Sequence, residues 1–209
     1  MTTLPPVEPW REAVWRAVPE DARPERFAAR RAFLLGNVTP GDRVVDLGAG
    51  DGAFAAELAA AGCDVVAVDV AEEALRRART RVPGLDARNV PEDAALPLDE
   101  DAVDVVWAGE VLEHVADVVG LLAEVRRVLR WGGRLLVTTP AHGPVALAAL
   151  ALRGRRAVDA HFDPRADHLR FFTTGTLREV LTGAGFADVE IRAVGGVPLL
   201  RQAFHAVAR

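Results

Sequence analysis

From residue 43 onward, short β-branched apolar runs alternate with helical stretches, and this alternation leaves few architectures open to the chain. Residues 43–47 (RVVDL), 64–70 (DVVAVDV), 85–90, 103–108 (VDVVWA) and 134–138 read as strands. Residues 53–61, 71–81 and 117–130 read as helices between them. The last carries Val118, Leu121, Leu122, Val125, Val128 and Leu129 on one face, and Trp131-Gly132-Gly133 is expected to stop it. Strands separated by helices of this length make βαβ units, which predicts a largely parallel α/β sheet with helices on both faces. The continuous apolar runs suit strands covered on both sides.

Two segments break the rhythm. Residues 10–38 read as two short helices before the first strand, and residues 140–173 interrupt the alternation after the fifth. A helix over 176–182, a strand over 187–194 and a final strand over 202–208 complete the chain. The expectation is one domain over 1–209, with a helical cap (1–40), a cofactor-binding core (41–140) and an acceptor-side insertion or lid (140–174). Half of the 209 residues are hydrophobic, enough for one sizeable core.

The segment Val44-Val45-Asp46-Leu47-Gly48-Ala49-Gly50-Asp51-Gly52 carries the most chemistry. An acid ends the first strand, and glycines follow at alternate positions. Glycine tolerates positive φ and lets a ligand approach the backbone, and the next helix aims free N–H groups at the same place. The dinucleotide fingerprint needs G-x-G-x-x-G; here the third glycine comes one residue early, with Ala53 in the fingerprint's last position. Asp46 would repel a pyrophosphate but would favour a cationic, amino-acid-bearing ligand. Asp69, at the end of the second strand, can accept both hydroxyls of a ribose. It can equally serve as a helix N-cap.

VVDLGAGDG followed by VVAVDV resembles the first two motifs of class I S-adenosylmethionine-dependent methyltransferases. Three further stretches resemble the motifs that follow: Glu92 to Leu98 (EDAALPL), Asp104 to Val115 (DVVWAGEVLEHV) and Leu129 to Val137 (LRWGGRLLV). The five run in order from about Val44 to Pro140. Small-molecule methyltransferases sharing the LEHV ending are the nearest group. The resemblance implies a Rossmann-like doubly wound sheet of about seven strands, mostly parallel, with the last antiparallel. It implies S-adenosyl-L-methionine as cofactor and S-adenosyl-L-homocysteine as product. Asp46, Gly48 and Gly50, with Ala49 beside them, would line the methionine end. Asp69 would hold the ribose, next to Val70. Glu92 or Asp93 would sit by the adenine amine, and Ala108 and Gly109 would offer backbone contacts to the amino-acid moiety.

Methyl transfer is an in-line displacement in which alignment and exclusion of water carry most of the work. A base is needed only when the acceptor must lose a proton. His114, His142 and His168 are the candidates, each weighed against a structural hydrogen-bonding role. His161 lies in the insertion too, and His205, in the last strand, is the least suited. His161-Phe162-Asp163 with Asp167-His168 matches no metal-ligand spacing, so no metal is expected. Residues 144–152, followed by Arg153-Gly154-Arg155-Arg156, read as a lid helix, or as an apolar acceptor pocket with an anion-binding rim. Thr173 or Thr174 is expected to cap the helix that follows.

Composition narrows the partners. All 25 basic residues are arginine, which removes lysine chemistry, and a net charge of −5 argues against a nucleic-acid binder. Cys63 is the single cysteine, so no intrachain disulfide forms. The first nine residues lack the apolar stretch of a signal peptide, and no apolar run approaches the ~20 residues of a membrane span. The expectation is a cytoplasmic enzyme with a small-molecule acceptor, no nucleic acid and no membrane, with a homodimer open. A non-catalytic nucleoside-cofactor-binding protein and a nicotinamide-dependent oxidoreductase are the alternatives.

Overall fold

The structure, a computed structural model, describes residues 10–92, 94–163, 168–197 and 202–209. Seven strands form one sheet: β1 (Arg43–Leu47), β2 (Asp64–Asp69), β3 (Asp86–Asn89), β4 (Val103–Gly109), β5 (Leu129–Pro140), β6 (Val189–Val194) and β7 (Ala203–Ala208). Their order is β3-β2-β1-β4-β5-β7-β6. The pairings from β3 through β5 are parallel, and β7 runs antiparallel to both β5 and β6.

Successive residues of a strand face opposite sides of the sheet, and here both sides are apolar. Val45, Val66 and Val106 enter one core with Leu122, Val125, Leu177, Leu181 and Phe186. Val44, Val65 and Val105 enter the other with Leu34, Phe54, Leu58 and Trp107. Helices α5 (Val118–Val128) and α8 (Thr174–Gly183) therefore cover one face, and α2 (Phe27–Leu35) and α3 (Ala53–Ala60) the other. Each large aliphatic side chain so buried contributes ~1.5–3 kcal/mol. The N-terminal α1 (Trp10–Ala17) buries no residue and packs on α4 (Glu72–Arg81). The insertion holds α6 (Pro144–Leu152) and α7 (Arg155–His161), also without a buried residue.

One boundary departs from the sequence reading. The helix expected to reach Arg130 stops at Val128, and the chain is extended from Leu129, which pairs with Val103 across a register shift. Arg130 bonds Asp104 there, and the Asp104 carboxylate accepts the N–H of Arg43 at 2.8 Å. Strand pairing and this carboxylate outweigh the helical period. Trp131-Gly132-Gly133 is a bulge inside β5, with Trp131 91% exposed, and not a helix cap. Thr173 does cap α8: its hydroxyl accepts the N–H of Thr176 at 3.2 Å, and Thr176 Oγ1 accepts the N–H of Thr173 at 2.9 Å.

Candidate active site

β1 and β2 lie side by side, so the segments leaving their carboxyl ends meet. The N–H groups of Gly48 and Ala49 donate to Val68 O at 2.8 and 3.1 Å. Gly48 and Gly50 take φ of +68° and +55°, which other residues rarely adopt. A Cβ on Gly50 would lie 2.7 Å from the ring of Trp15, so α1 lies directly over the turn. A Cβ on Gly48 would lie 2.6 Å from Val111.

Asp69 fastens the turn from the other side. One carboxylate oxygen accepts the Gly50 N–H and the other the Ala71 N–H, each at 2.9 Å. Asp69 thus anchors both the glycine turn and the start of α4, whose own N-cap position is Ala71. Burial pushes its carboxyl up, and the N–H groups of Ala71, Gly50 and Val70 pull it back. Each oxygen keeps acceptor capacity for a ligand hydroxyl. Asp46 lies behind the turn, almost wholly buried, and its Oδ2 has no partner among the described residues. Burial, then the nearby Asp69, raises its carboxyl to about 7, against the pull of Arg30. A cationic group in front of it would offset that cost.

These features open on a cavity of about 570 Å³ between α1 and the strand ends. Of the expected residues, Gly48, Asp69, Val70, Glu92 and His114 line it. Ala49 and Gly50 form the turn behind it, and Asp46, still in β1, lies behind the turn. Ala108 and Gly109 lie in β4, with Ala108 wholly buried and neither at the cavity wall, where Glu110 and Val111 stand instead. Asp93 lies outside the described residues. Leu96, from the expected 92–98 motif, also lines the cavity, as do Trp15 and Arg11, whose place on it was not legible because only tertiary packing brings α1 here.

The histidines separate into two groups. His114 and His168 meet at 4.8 Å between ring centroids. Glu113, fully buried beside them, accepts Thr139 Oγ1 at 2.9 Å, and the three residues bring donor atoms within 4.8 Å of one another. That juxtaposition has no counterpart in the sequence reading. Burial, then Glu110, raises the Glu113 carboxyl to about 8. His142 and His161 instead meet at 5.3 Å, tilted, beside Phe171, with His168 still near enough to help hold the His142 imidazole below its usual range. Asp167 lies outside the described residues. His205, in β7, packs on Phe33 at 4.5 Å.

The cavity suits a nucleoside joined to an amino acid: it offers a carboxylate for ribose hydroxyls, with an unpartnered carboxylate oxygen by the turn. Comparison with known proteins agrees. Residues 20–191 match the family described as "Methyltransferase domain". The chain is 34% identical over 158 residues to a malonyl-[acyl-carrier protein] O-methyltransferase of Methylococcus capsulatus, covering 74% of this chain and 55% of that one. It is 34% identical over 173 residues to a demethylmenaquinone methyltransferase of Clavibacter sepedonicus, covering 73% and 68%. The chain thus spans about half the length of the first of these relatives and two thirds of the second. In fold it is similar to an S-adenosylmethionine-dependent methyltransferase from Mesorhizobium loti, with a TM-score of 0.67 and 24% identity over 88% of this chain and 97% of that one.

Proposed function

The chain belongs to the class I S-adenosylmethionine-dependent methyltransferase family, and from that membership we propose that it transfers a methyl group from S-adenosylmethionine to a small-molecule acceptor. The observation that carries the reading is Asp69, buried at the carboxyl end of β2 and locked to the Gly50 turn at 2.9 Å, on the wall of a cavity large enough for the cofactor.

When bound, the cofactor supplies a methyl group on a sulfonium, already a good electrophile. Asp69 and Gly48, both on the cavity wall, would hold the ribose hydroxyls and the methionine end, with the buried Asp46 behind the turn as the nearest counter-charge for the ammonium. Glu92 lines the cavity and would meet the adenine amine. Trp15 and Val111 keep water from the turn. The small-molecule assignment draws on the two relatives, whose names place their acceptors as a malonyl group carried on acyl-carrier protein and a demethylmenaquinone. Among the described residues no helix is long and apolar enough to cross a membrane.

Thermal melting with added ligand tests this reading. A ligand that binds only the folded state stabilises by RT ln(1 + [L]/Kd), about 2.7 kcal/mol at 100 Kd. S-adenosylhomocysteine should raise Tm by several degrees and NADH should leave it unchanged. The reverse pattern would replace the methyltransferase with the oxidoreductase.

A further inference from the structure

Four of the five histidines collect at two places. His142 and His161 line a second cavity, of about 540 Å³, with Arg26 and with Ala146, Leu147 and Leu150 of α6. Arg26 bonds Glu110, which lines the first cavity, at 3.2 Å. None of Arg153, Arg155 and Arg156 lines the second cavity, so these arginines do not form the anion-binding rim that the sequence suggested. Among the described residues no third metal-ligating side chain joins this histidine pair at coordinating range.

His114 and His168 are placed differently. One nitrogen from each imidazole and one carboxylate oxygen of Glu113 all lie within 4.8 Å of one another. With ligand bonds of ~2.0–2.1 Å, donor atoms of a tetrahedral site stand ~3.3 Å apart. Small rotations of the two rings close that difference. The parts are held in place. Glu113 is fully buried; its Oε2 accepts the Thr139 hydroxyl at 2.9 Å, and its Oε1 has no hydrogen-bond partner among the described residues. Buried polar atoms in native proteins are seldom left so. The Glu113 carbonyl accepts the N–H groups of Leu169 and Arg170 at 2.7 and 3.0 Å. The Arg170 guanidinium donates to the carbonyls of Val115, at 2.9 Å, and Ala116. These bonds pin the segment that carries His168 to the one that carries Glu113 and His114. The sequence hid the grouping, because Glu113-His114 closes the fourth-strand motif and His168 precedes α8.

We propose that Glu113, His114 and His168 form a binding site for a divalent transition-metal ion, zinc or a first-row neighbour. Two imidazoles and a carboxylate suit these ions over magnesium and calcium, which take oxygen ligands. Three protein ligands leave the fourth position to an outside oxygen, as in catalytic rather than closed structural zinc sites. His114 also lines the cofactor cavity, which gives the ion an entry path and sets it at that cavity's wall. Thr139 is the outer partner that orients the carboxylate. The site goes beyond the methyltransferase reading, and neither depends on the other.

The test is calorimetric titration of zinc chloride into metal-free protein. One ion per chain is expected, with no competition from magnesium. His168→Phe, which keeps a ring and removes the nitrogens, should weaken zinc by more than ~100-fold, beyond the ~10–100-fold that losing an outer partner costs, and Thr139→Val should weaken it ~10-fold. His161→Phe, in the other histidine pair, should hold zinc within ~2-fold of wild type. Cooperative thermal melting shows which variants fold. X-ray absorption at the zinc edge needs no variant, and on the wild-type complex it should count two imidazoles. Folded wild type that does not saturate with zinc, His168→Phe that binds as tightly as wild type, loss of zinc in His161→Phe, or an edge with fewer than two imidazoles overturns the site. S-adenosylhomocysteine takes no part in the titration, so its failure to bind would overturn the cofactor reading alone.

Discussion

The N–H of Gly50 donates to the carboxylate of Asp69 at 2.9 Å, tying the turn after β1 to the acid that ends β2. The bond fixes a left-handed glycine against a buried charge, and it puts backbone and carboxylate on one wall of the cofactor cavity.

Gly50→Ala should destabilise the fold by ~1–3 kcal/mol, from the positive φ and from contact with Trp15. Urea unfolding measures the loss. Because the added methyl meets the Trp15 ring, Trp15→Ala in the same chain should recover the steric part and leave the backbone part. If the two losses simply add, α1 does not sit over the turn as described.

Stability should fall with rising pH through Asp46. Its carboxyl, ordinarily near 3.8, titrates in the folded protein at about 7, mainly because it is buried. The folded state holds a proton that the unfolded chain releases. The contribution is therefore fully present below about pH 4 and is lost as pH rises through about 7. Asp46→Asn cannot ionise, so its unfolding free energy should vary less between those limits. An unchanged slope would show that Asp46 is not buried as a carboxyl.

Thr173→Ala removes the reciprocal capping bonds at the start of α8 and should cost ~1 kcal/mol, while Thr173→Ser should cost only a few tenths. Chemical denaturation of both variants checks the order. Equal losses would place the role of Thr173 in its methyl group.

Most of the sheet was legible because strands buried on both faces write continuous Val runs, as at Val44-Val45 and Val105-Val106. The cofactor edge was legible because the glycine turn and Asp69 are fixed by local chain geometry. The start of β5 was not: Leu129 continues a helical period, and only its pairing with Val103 turns it into strand. Nor were the parts of the two cavity walls that distant packing supplies. Trp15 reaches Gly50, and Arg26 reaches Glu110 84 residues away, through packing that no local pattern records. His142 and His168 were each candidates for the base, and only packing decides that His168 meets the ring of His114 and His142 that of His161.

Isothermal titration of S-adenosylhomocysteine into wild type and Asp69→Ala tests the central claim most directly. Hydrogen bonds to a charged group contribute ~1.5–3 kcal/mol, so the variant should bind at least ~10-fold more weakly than a one-to-one wild-type complex. Folded wild-type protein that gives no binding heat, or an Asp69→Ala variant that binds as tightly as wild type, would contradict the account.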